Sequence, residues 1–332
     1  ENLAELFNTS DPLRIIFTLN ATESINLVLK GLLHAGNHVI TSSMEHNAVM
    51  RPLRELEKCG VQVQIVPCSC DGYLDPLDIE KAIKKNTALI ILNHASNVTG
   101  TLLPIRSVGA IARKRNILFL VDGAQTAGTY PIDIEKDNID LLAFTGHKSL
   151  FGPTGTGGLV IGEKVDINKI APLKTGGTGS RSESENHPDF LPDLYESGTS
   201  NIVGIAGLKA GIRYILKRGI TEIRQQERAL TDKLISGLKE IPEVILYGKE
   251  GTGNRVAVVS FNTRNQSPSD IGLKLDEEYD IMCRVGLHCS PASHRTIGTF
   301  PAGTVRFSLS VFNTEQEIEK AVMAVKNITK IL

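Results

Sequence analysis

Ile117-Leu118-Phe119-Leu120-Val121-Asp122-Gly123-Ala124-Gln125 is the stretch on which the reading of this chain turns. An unbroken apolar run of this length reads as a short strand buried on both faces. Asp122 closes it, and Gly123 lets the chain turn. The next apolar run, Leu141-Leu142-Ala143-Phe144, leads into Thr145-Gly146-His147-Lys148-Ser149. One strand therefore ends in a carboxylate, and a later one opens into a loop that carries a lysine.

The same rhythm extends outward on both sides. Strand-like runs occur at Arg14–Thr18, His38–Thr41, Val61–Val66, Ala88–Leu92 and Gly158–Ile161. Amphipathic stretches at Thr22–Leu33, Ala48–Lys58, Pro76–Lys84 and Ile105–Lys114 separate them. Strands alternating with helices predict an α/β domain, with a mostly parallel sheet covered by helices. Ligands of such sheets bind beyond the carboxyl ends of the strands, where Asp122 and Lys148 stand. Pro172 to Ser200 is rich in Gly, Ser, Pro and charge, and reads as a long loop. Helical patterns follow at Val203–Lys217 and Glu222–Glu240. The pattern then becomes α+β, with strands near Val244–Leu246, Val256–Phe261 and Val305–Leu309, and helices near Ser267–Glu277 and Glu315–Ile331. This predicts a large domain over residues 1–224 and a smaller α+β domain over 225–332.

Composition narrows the function. The chain has 332 residues, with 36 Lys+Arg against 37 Asp+Glu. Near-neutral charge, no Trp and few aromatics argue against nucleic acid as a partner. No stretch is long and apolar enough to span a bilayer, so no membrane partner is expected. Five cysteines, an odd number in a large chain, fit reduced thiols and a soluble cytoplasmic protein.

A strand-end acid and a lysine after the next strand suit pyridoxal 5'-phosphate. The lysine amine forms a Schiff base, and the acid keeps the pyridine nitrogen protonated. Other loops supply companions. In Asn20-Ala21-Thr22-Glu23-Ser24, Thr22 would offer a hydroxyl and amides to a phosphate at a helix N-terminus, or simply cap the helix. His46, in Glu45-His46-Asn47-Ala48, could stack on a ring and move protons, or be structural. Asn97, in Asn93-His94-Ala95-Ser96-Asn97, could donate to a ligand. Thr145, His147 and Ser149 surround Lys148 with donors. Gly152 to Gly158 lacks the Gly-Lys-Ser/Thr of a Walker loop and reads as a tight turn.

Cys289 follows His288 in Arg284-Val285-Gly286-Leu287-His288-Cys289. A thiolate there would be a nucleophile, helped by a neighbouring cation on a mobile loop. It could equally be a small buried hydrophobe. Cys283, His288, Cys289 and His294 lie close together, but their spacing is not that of a zinc site, and no metal is assigned. Arg306, in Gly303-Thr304-Val305-Arg306-Phe307-Ser308, could grip a carboxylate bidentately or lie on an edge strand facing water.

Taken in order, these motifs resemble the class V aminotransferase family of fold-type I pyridoxal phosphate enzymes, and within it the cysteine desulfurases and selenocysteine lyases. The resemblance rests on Thr22-Glu23, Glu45-His46-Asn47-Ala48, Ser96-Asn97-Val98, Val121-Asp122-Gly123-Ala124-Gln125, Gly146-His147-Lys148, Glu196-Ser197-Gly198-Thr199 and Arg284 to Cys289. It implies that Lys148 is the Schiff-base lysine, Asp122 the acid at the pyridine nitrogen and Gln125 a donor to the ring's phenolic oxygen. It implies that His46 stacks on the cofactor, that Thr22, Thr145 and His147 bind phosphate, and that Thr199 reaches the phosphate from the other subunit of a homodimer. Asn97 and Arg306 would hold the carboxylate of L-cysteine or L-selenocysteine. Cys289 would take the sulfur as a persulfide and pass it to a sulfur-acceptor protein. An aminotransferase or another lyase on the same scaffold is the alternative. Ala21 occupies a phosphate position that is often a small polar residue, and Leu287 one that is often histidine. The family's N-terminal arm is expected to be absent before Glu1.

Overall fold

The computed structural model describes residues 1–249 and 251–330. The chain opens with helix α1 (Asn2–Phe7), strand β1 (Ile15–Thr18) and helix α2 (Ala21–Leu32). Alternation follows: β2 (His38–Ser42), α3 (Asn47–Lys58), β3 (Gln62–Val66), α4 (Pro76–Ala82), β4 (Thr87–Asn93), α5 (Ile105–Lys114), β5 (Leu118–Asp122), β6 (Leu141–Thr145) and β7 (Gly157–Ile161). The seven strands form one sheet in the order β1-β7-β6-β5-β4-β2-β3. Strands β2 to β6 pair in parallel, and β7 runs antiparallel to both β6 and β1.

The sheet is buried on both faces because its strands alternate apolar residues to each side. Ile90, Leu92, Phe119, Val121, Leu142 and Phe144 belong to one core. Leu89, Ile91, Leu120, Leu141 and Ala143 belong to the core on the opposite face. Caps set where helices begin: Asn20 accepts from the Glu23 amide at α2, and Asp75 from the Leu77 amide at α4.

Helices α6 (Ile202–Arg218) and α7 (Ile220–Lys239) lead to the second sheet, built from β8 (Val244–Tyr247), β9 (Val258–Thr263), β10 (Arg284–Gly286) and β11 (Thr304–Ser308) in the antiparallel order β10-β11-β9-β8. Helices α8 (Pro268–Tyr279) and α10 (Glu315–Lys330) pack with it, and the six-residue α9 (Pro291–Thr296) lies between β10 and β11 in sequence. Position 331, the expected end of α10, lies outside the described residues. The expected division after residue 224 falls inside α7. Its Ile223 packs in the first sheet's core and its Leu230, Leu234 and Leu238 in the small sheet's.

All seven expected strands of the large sheet are present, with ends shifted by a residue or two. The run at Val256–Phe261 begins its pairing later, as β9 at Val258. Of the elements named above, α1, β10 and α9 had no sequence expectation. Among the described residues, no helix is long and apolar enough to cross a membrane.

Candidate active site

Three neighbouring strands deliver residues to one place. Asn93, Asp122 and Thr145 are the last residues of β4, β5 and β6. Asn93 and Asp122 are register partners, and the His94 amide donates to the Asp122 carbonyl at 2.9 Å. Beyond these ends lies a cavity of about 430 Å³. Ala21 and Thr22 at the start of α2, His46, Asn97, Asp122, Gln125, Thr145, His147, Lys148 and Cys289 all line it.

Asp122 is buried at 6 % exposure. Its Oδ1 accepts from the Ala124 amide at 2.9 Å, and no Lys, Arg or His among the described residues pairs with it at ion-pair distance. A buried carboxylate ordinarily has a cationic or strongly donating partner. Here the opening in front of it is the cavity. Lys148 reaches into that same space. Its surface is exposed to the open cavity, yet the protein packed around it lowers its pKa, and the negative charge of Asp122 partly restores it.

His46 caps α3. Its Nδ1 accepts the Ala48 amide at 3.0 Å, which leaves the proton of the neutral ring on Nε2. Burial lowers its pKa, and Asp122 opposes that. Thr145 Oγ1 and His147 Nδ1 share a hydrogen bond of 2.9 Å, and burial and Lys148 lower the His147 pKa. An α-helix leaves its first amides without intrahelical acceptors. At α2 these belong to Ala21 and Thr22, which face the cavity. Close approach makes this corner possible: a Cβ on Gly157 would lie 2.5 Å from the Asn20 Cα.

The set fits pyridoxal 5'-phosphate. The unpaired carboxylate of Asp122 suits a protonated ring nitrogen, and the α2 amides with Thr145 and His147 suit a phosphate. Lys148 stands at the same wall.

Two expected residues lie elsewhere. Thr199 borders a separate hollow with Glu196, Lys174 and Thr156. Arg306 is not among the residues that line the cavity; its Nη1 donates to the Asn97 carbonyl at 3.0 Å and its Nε is buried without a partner. Asn97 donates its amide to the His288 carbonyl at 2.7 Å, while its Oδ1 is buried and unpartnered.

Cys289 is exposed, against the reading of a buried hydrophobe. The cation expected beside it is not His288. Burial, with Arg306 and His294, pushes that ring down to about 3, and its Nε2 meets Thr304 Oγ1 at 3.0 Å. Lys148 and Arg306 are the cations that sense the Cys289 thiolate. The loop is also pinned rather than free. The Asn47 amide donates to the Cys289 carbonyl at 2.9 Å, and His288 and Cys289 both hold left-handed φ of 49° and 58°. Cys283 packs at the edge of the small core, and among the described residues no three potential metal ligands converge.

Arg284 lines the cavity and had no assigned role. Its signal is the strand pairing: β10 sets it directly opposite Arg306 of β11. Like charges placed so repel, and an anion between them relieves this.

The chain is similar to known proteins along nearly all of its length. A probable cysteine desulfurase of Pyrococcus abyssi is 36 % identical over 326 residues, covering 96 % of this chain and 79 % of the relative. A cysteine desulfurase of Shigella flexneri is 33 % identical over 339 residues, covering 99 % and 81 %. The apo cysteine desulfurase of Thermococcus onnurineus NA1 superposes with a TM-score of 0.93 at 34 % identity, over all of this chain and 82 % of that one. The family described as aminotransferase class-V matches residues 1–321. That match spans nearly the whole chain, and the chain belongs to the class-V aminotransferases.

Proposed function

We infer that the protein is a pyridoxal phosphate-dependent cysteine desulfurase, converting L-cysteine to L-alanine and passing the sulfur to Cys289. One juxtaposition carries this reading: Cys289 lines the same cavity as Lys148 and Asp122. Transamination has no use for a thiol there, which is why an aminotransferase is the less favoured reading.

Pyridoxal 5'-phosphate, when bound, supplies the electron sink that makes bonds at the substrate's Cα and Cβ labile. The chain's residues do the rest. Lys148 would hold the group and is placed to take the Cα proton; its lowered pKa keeps more of the amine free for that task. Asp122 would keep a ring nitrogen protonated, and Gln125 would donate to the ring's oxygen. His46 would lie against the ring. The Ala21 and Thr22 amides, Thr145 and His147 would seat the phosphate. Asn97, on the cavity wall, would orient the substrate carboxylate, with Arg306, which holds the Asn97 carbonyl, adding positive charge next to it. The Cys289 thiolate attacks the substrate sulfur; the C–S bond breaks, its electron pair goes to Cβ with a proton, and alanine leaves a persulfide on Cys289.

The reading includes L-selenocysteine as a second substrate, a homodimer and a sulfur-acceptor protein. Thr199, outside this chain's own cavity, would serve the partner's phosphate. Ile202 and Val203 nearby are 71 % and 85 % exposed, and Leu19 is 55 % exposed, which suits burial against a second copy. All five cysteines are free, which suits the reducing cytoplasm.

The test is alanine and sulfide formation from L-cysteine by the cofactor-loaded protein with a reductant. Alanine with matching sulfide, both lost in Cys289→Ala, is the expected result. A Cys289→Ala variant that forms alanine as fast as the parent would end the persulfide reading.

A further inference from the structure

Two residues past Cys289, at Pro291, the chain borders an open groove of about 630 Å³ whose two banks are α3 and α9. From α3 it is lined by Arg51, Arg54 and Lys58, spaced so that they share one helix face, and from α9 by Arg295. One carboxylate, Glu55, also lines it. Arg54 is occupied by Glu57 at 2.6 Å, and Glu55 by Lys30 at 3.3 Å. Arg51, Lys58 and Arg295 have no carboxylate at ion-pair distance among the described residues. All three are exposed, and Arg295 lies 4.3 Å over the Phe300 ring. On a chain of net charge −1, this is a concentrated strip of unanswered positive charge.

Its place beside the nucleophile is fixed. Helix α9 starts at Pro291, with Ser290 as its N-cap directly after Cys289. Ser293 Oγ donates to the Met44 carbonyl at 3.0 Å and Thr296 Oγ1 to the Ser43 carbonyl at 3.1 Å, so the α9 bank is tied to the loop that leads into α3. On the α3 bank, the positive charge of Arg51 is felt at His46, inside the cavity. The groove and the Cys289 loop are thus tied to the same loop before α3.

We propose that this groove docks an acidic segment of the protein that takes sulfur from Cys289. The proposal rests on the desulfurase reading. In the transfer, the acceptor's cysteine thiolate attacks the outer sulfur of the Cys289 persulfide. The S–S bond breaks, Cys289 leaves as a thiolate and the acceptor carries the persulfide, with no net oxidant or reductant. Acidic side chains laid along Arg51, Lys58 and Arg295 hold that thiolate near Cys289 and speed its encounter.

The experiment uses the cofactor-loaded full chain, charged with L-cysteine, and three synthetic cysteine peptides matched in length: one rich in Asp and Glu, one neutral and one rich in Lys. Peptide persulfide formation is timed by mass spectrometry, with dithiothreitol turnover as the reference. The acidic peptide should accept sulfur roughly tenfold faster than the neutral one at low salt, with the advantage lost at high salt. The Lys58→Glu/Arg295→Glu double variant should lose that preference while its dithiothreitol-supported alanine formation stays at the parent rate. Equal rates for the acidic and neutral peptides, or a double variant that keeps the preference, would overturn the groove assignment and leave the desulfurase reading standing. Absence of alanine even with dithiothreitol would instead remove the desulfurase reading, and the groove assignment with it.

Discussion

Ser290 donates its hydroxyl to the backbone carbonyl of Glu45 at 2.9 Å, joining residues far apart in sequence. Both are fully buried. The bond ties the residue after Cys289 to the residue before His46, so the thiol and the ring-covering histidine keep one spacing. Ser290→Ala leaves the Glu45 carbonyl without this donor, at a cost of about 1 kcal/mol. A fall in Tm of about 2–4 °C is expected. Because the bond sets the spacing between the thiol and the His46 loop, kcat for alanine formation is expected to fall several-fold while KM for L-cysteine holds. A variant with the Tm loss and parental kcat would limit Ser290 to a structural part.

Glu45 itself predicts a pH effect. Its carboxyl sits between Ser42 Oγ at 2.6 Å and the Asn93 amide at 3.0 Å, and burial pushes its pKa up to about 8. The folded protein therefore holds a proton that the unfolded chain releases near 4.5. The resulting stability is fully present below that value and is lost as pH rises through about 8. Glu45→Gln carries no such proton. Its denaturation midpoint should fall less between pH 7 and pH 9 than the parent's, as measured by urea unfolding at both values.

The acid side follows from His288. The ring is held neutral, with a pKa near 3 against 6.5 when free. Here the unfolded chain takes the proton first, so stability present above 6.5 is lost as pH falls toward 3. His94, pushed down to about 3 by burial, and His294, to about 4, act the same way. His288→Asn, which tolerates the left-handed backbone at this position, should flatten the drop in Tm between pH 6.5 and pH 4.5. An unchanged slope would mean that His288 titrates normally.

Gly303 allows β10 to exist. A Cβ there would lie 2.3 Å from the carbonyl carbon and oxygen of Gly286, and φ is 79°. Backbone cannot step aside as a side chain can. Gly303→Ala should therefore unpair β10 and shift Arg284 and Cys289, while the residues from β4, β5 and β6 stay in place. Sulfide formation should collapse, with the visible absorbance of the bound cofactor retained. Loss of both together would point to general unfolding instead.

The large sheet was legible because strands buried on both faces are written as unbroken apolar runs, as in Leu141 to Phe144. The end of each such run also marks where a ligand can sit, so Asp122 and Lys148 could be placed together from spacing. What escaped has no such imprint. Strand β10 is Arg-Val-Gly, apolar at one position only, and forms because β11 pairs with it. Helices α1 and α9 have six residues each, too few for a 3.6-residue period to show. The charge state of His288 depends on burial beside Arg306, a neighbour in space and not in sequence. Arg284 was visible as a letter, but its partner was not.

Helix α7 threads two of the hydrophobic cores, with Ile223 in one core of the large sheet and Leu230 in that of the small sheet. Melting either core removes the anchor from one end of a rod that the other core needs. Heating should then give one calorimetric peak rather than two, and a protease offered the folded chain should find no cutting site near residue 225. The two sheets that frame the cavity would live and die as a single cooperative body.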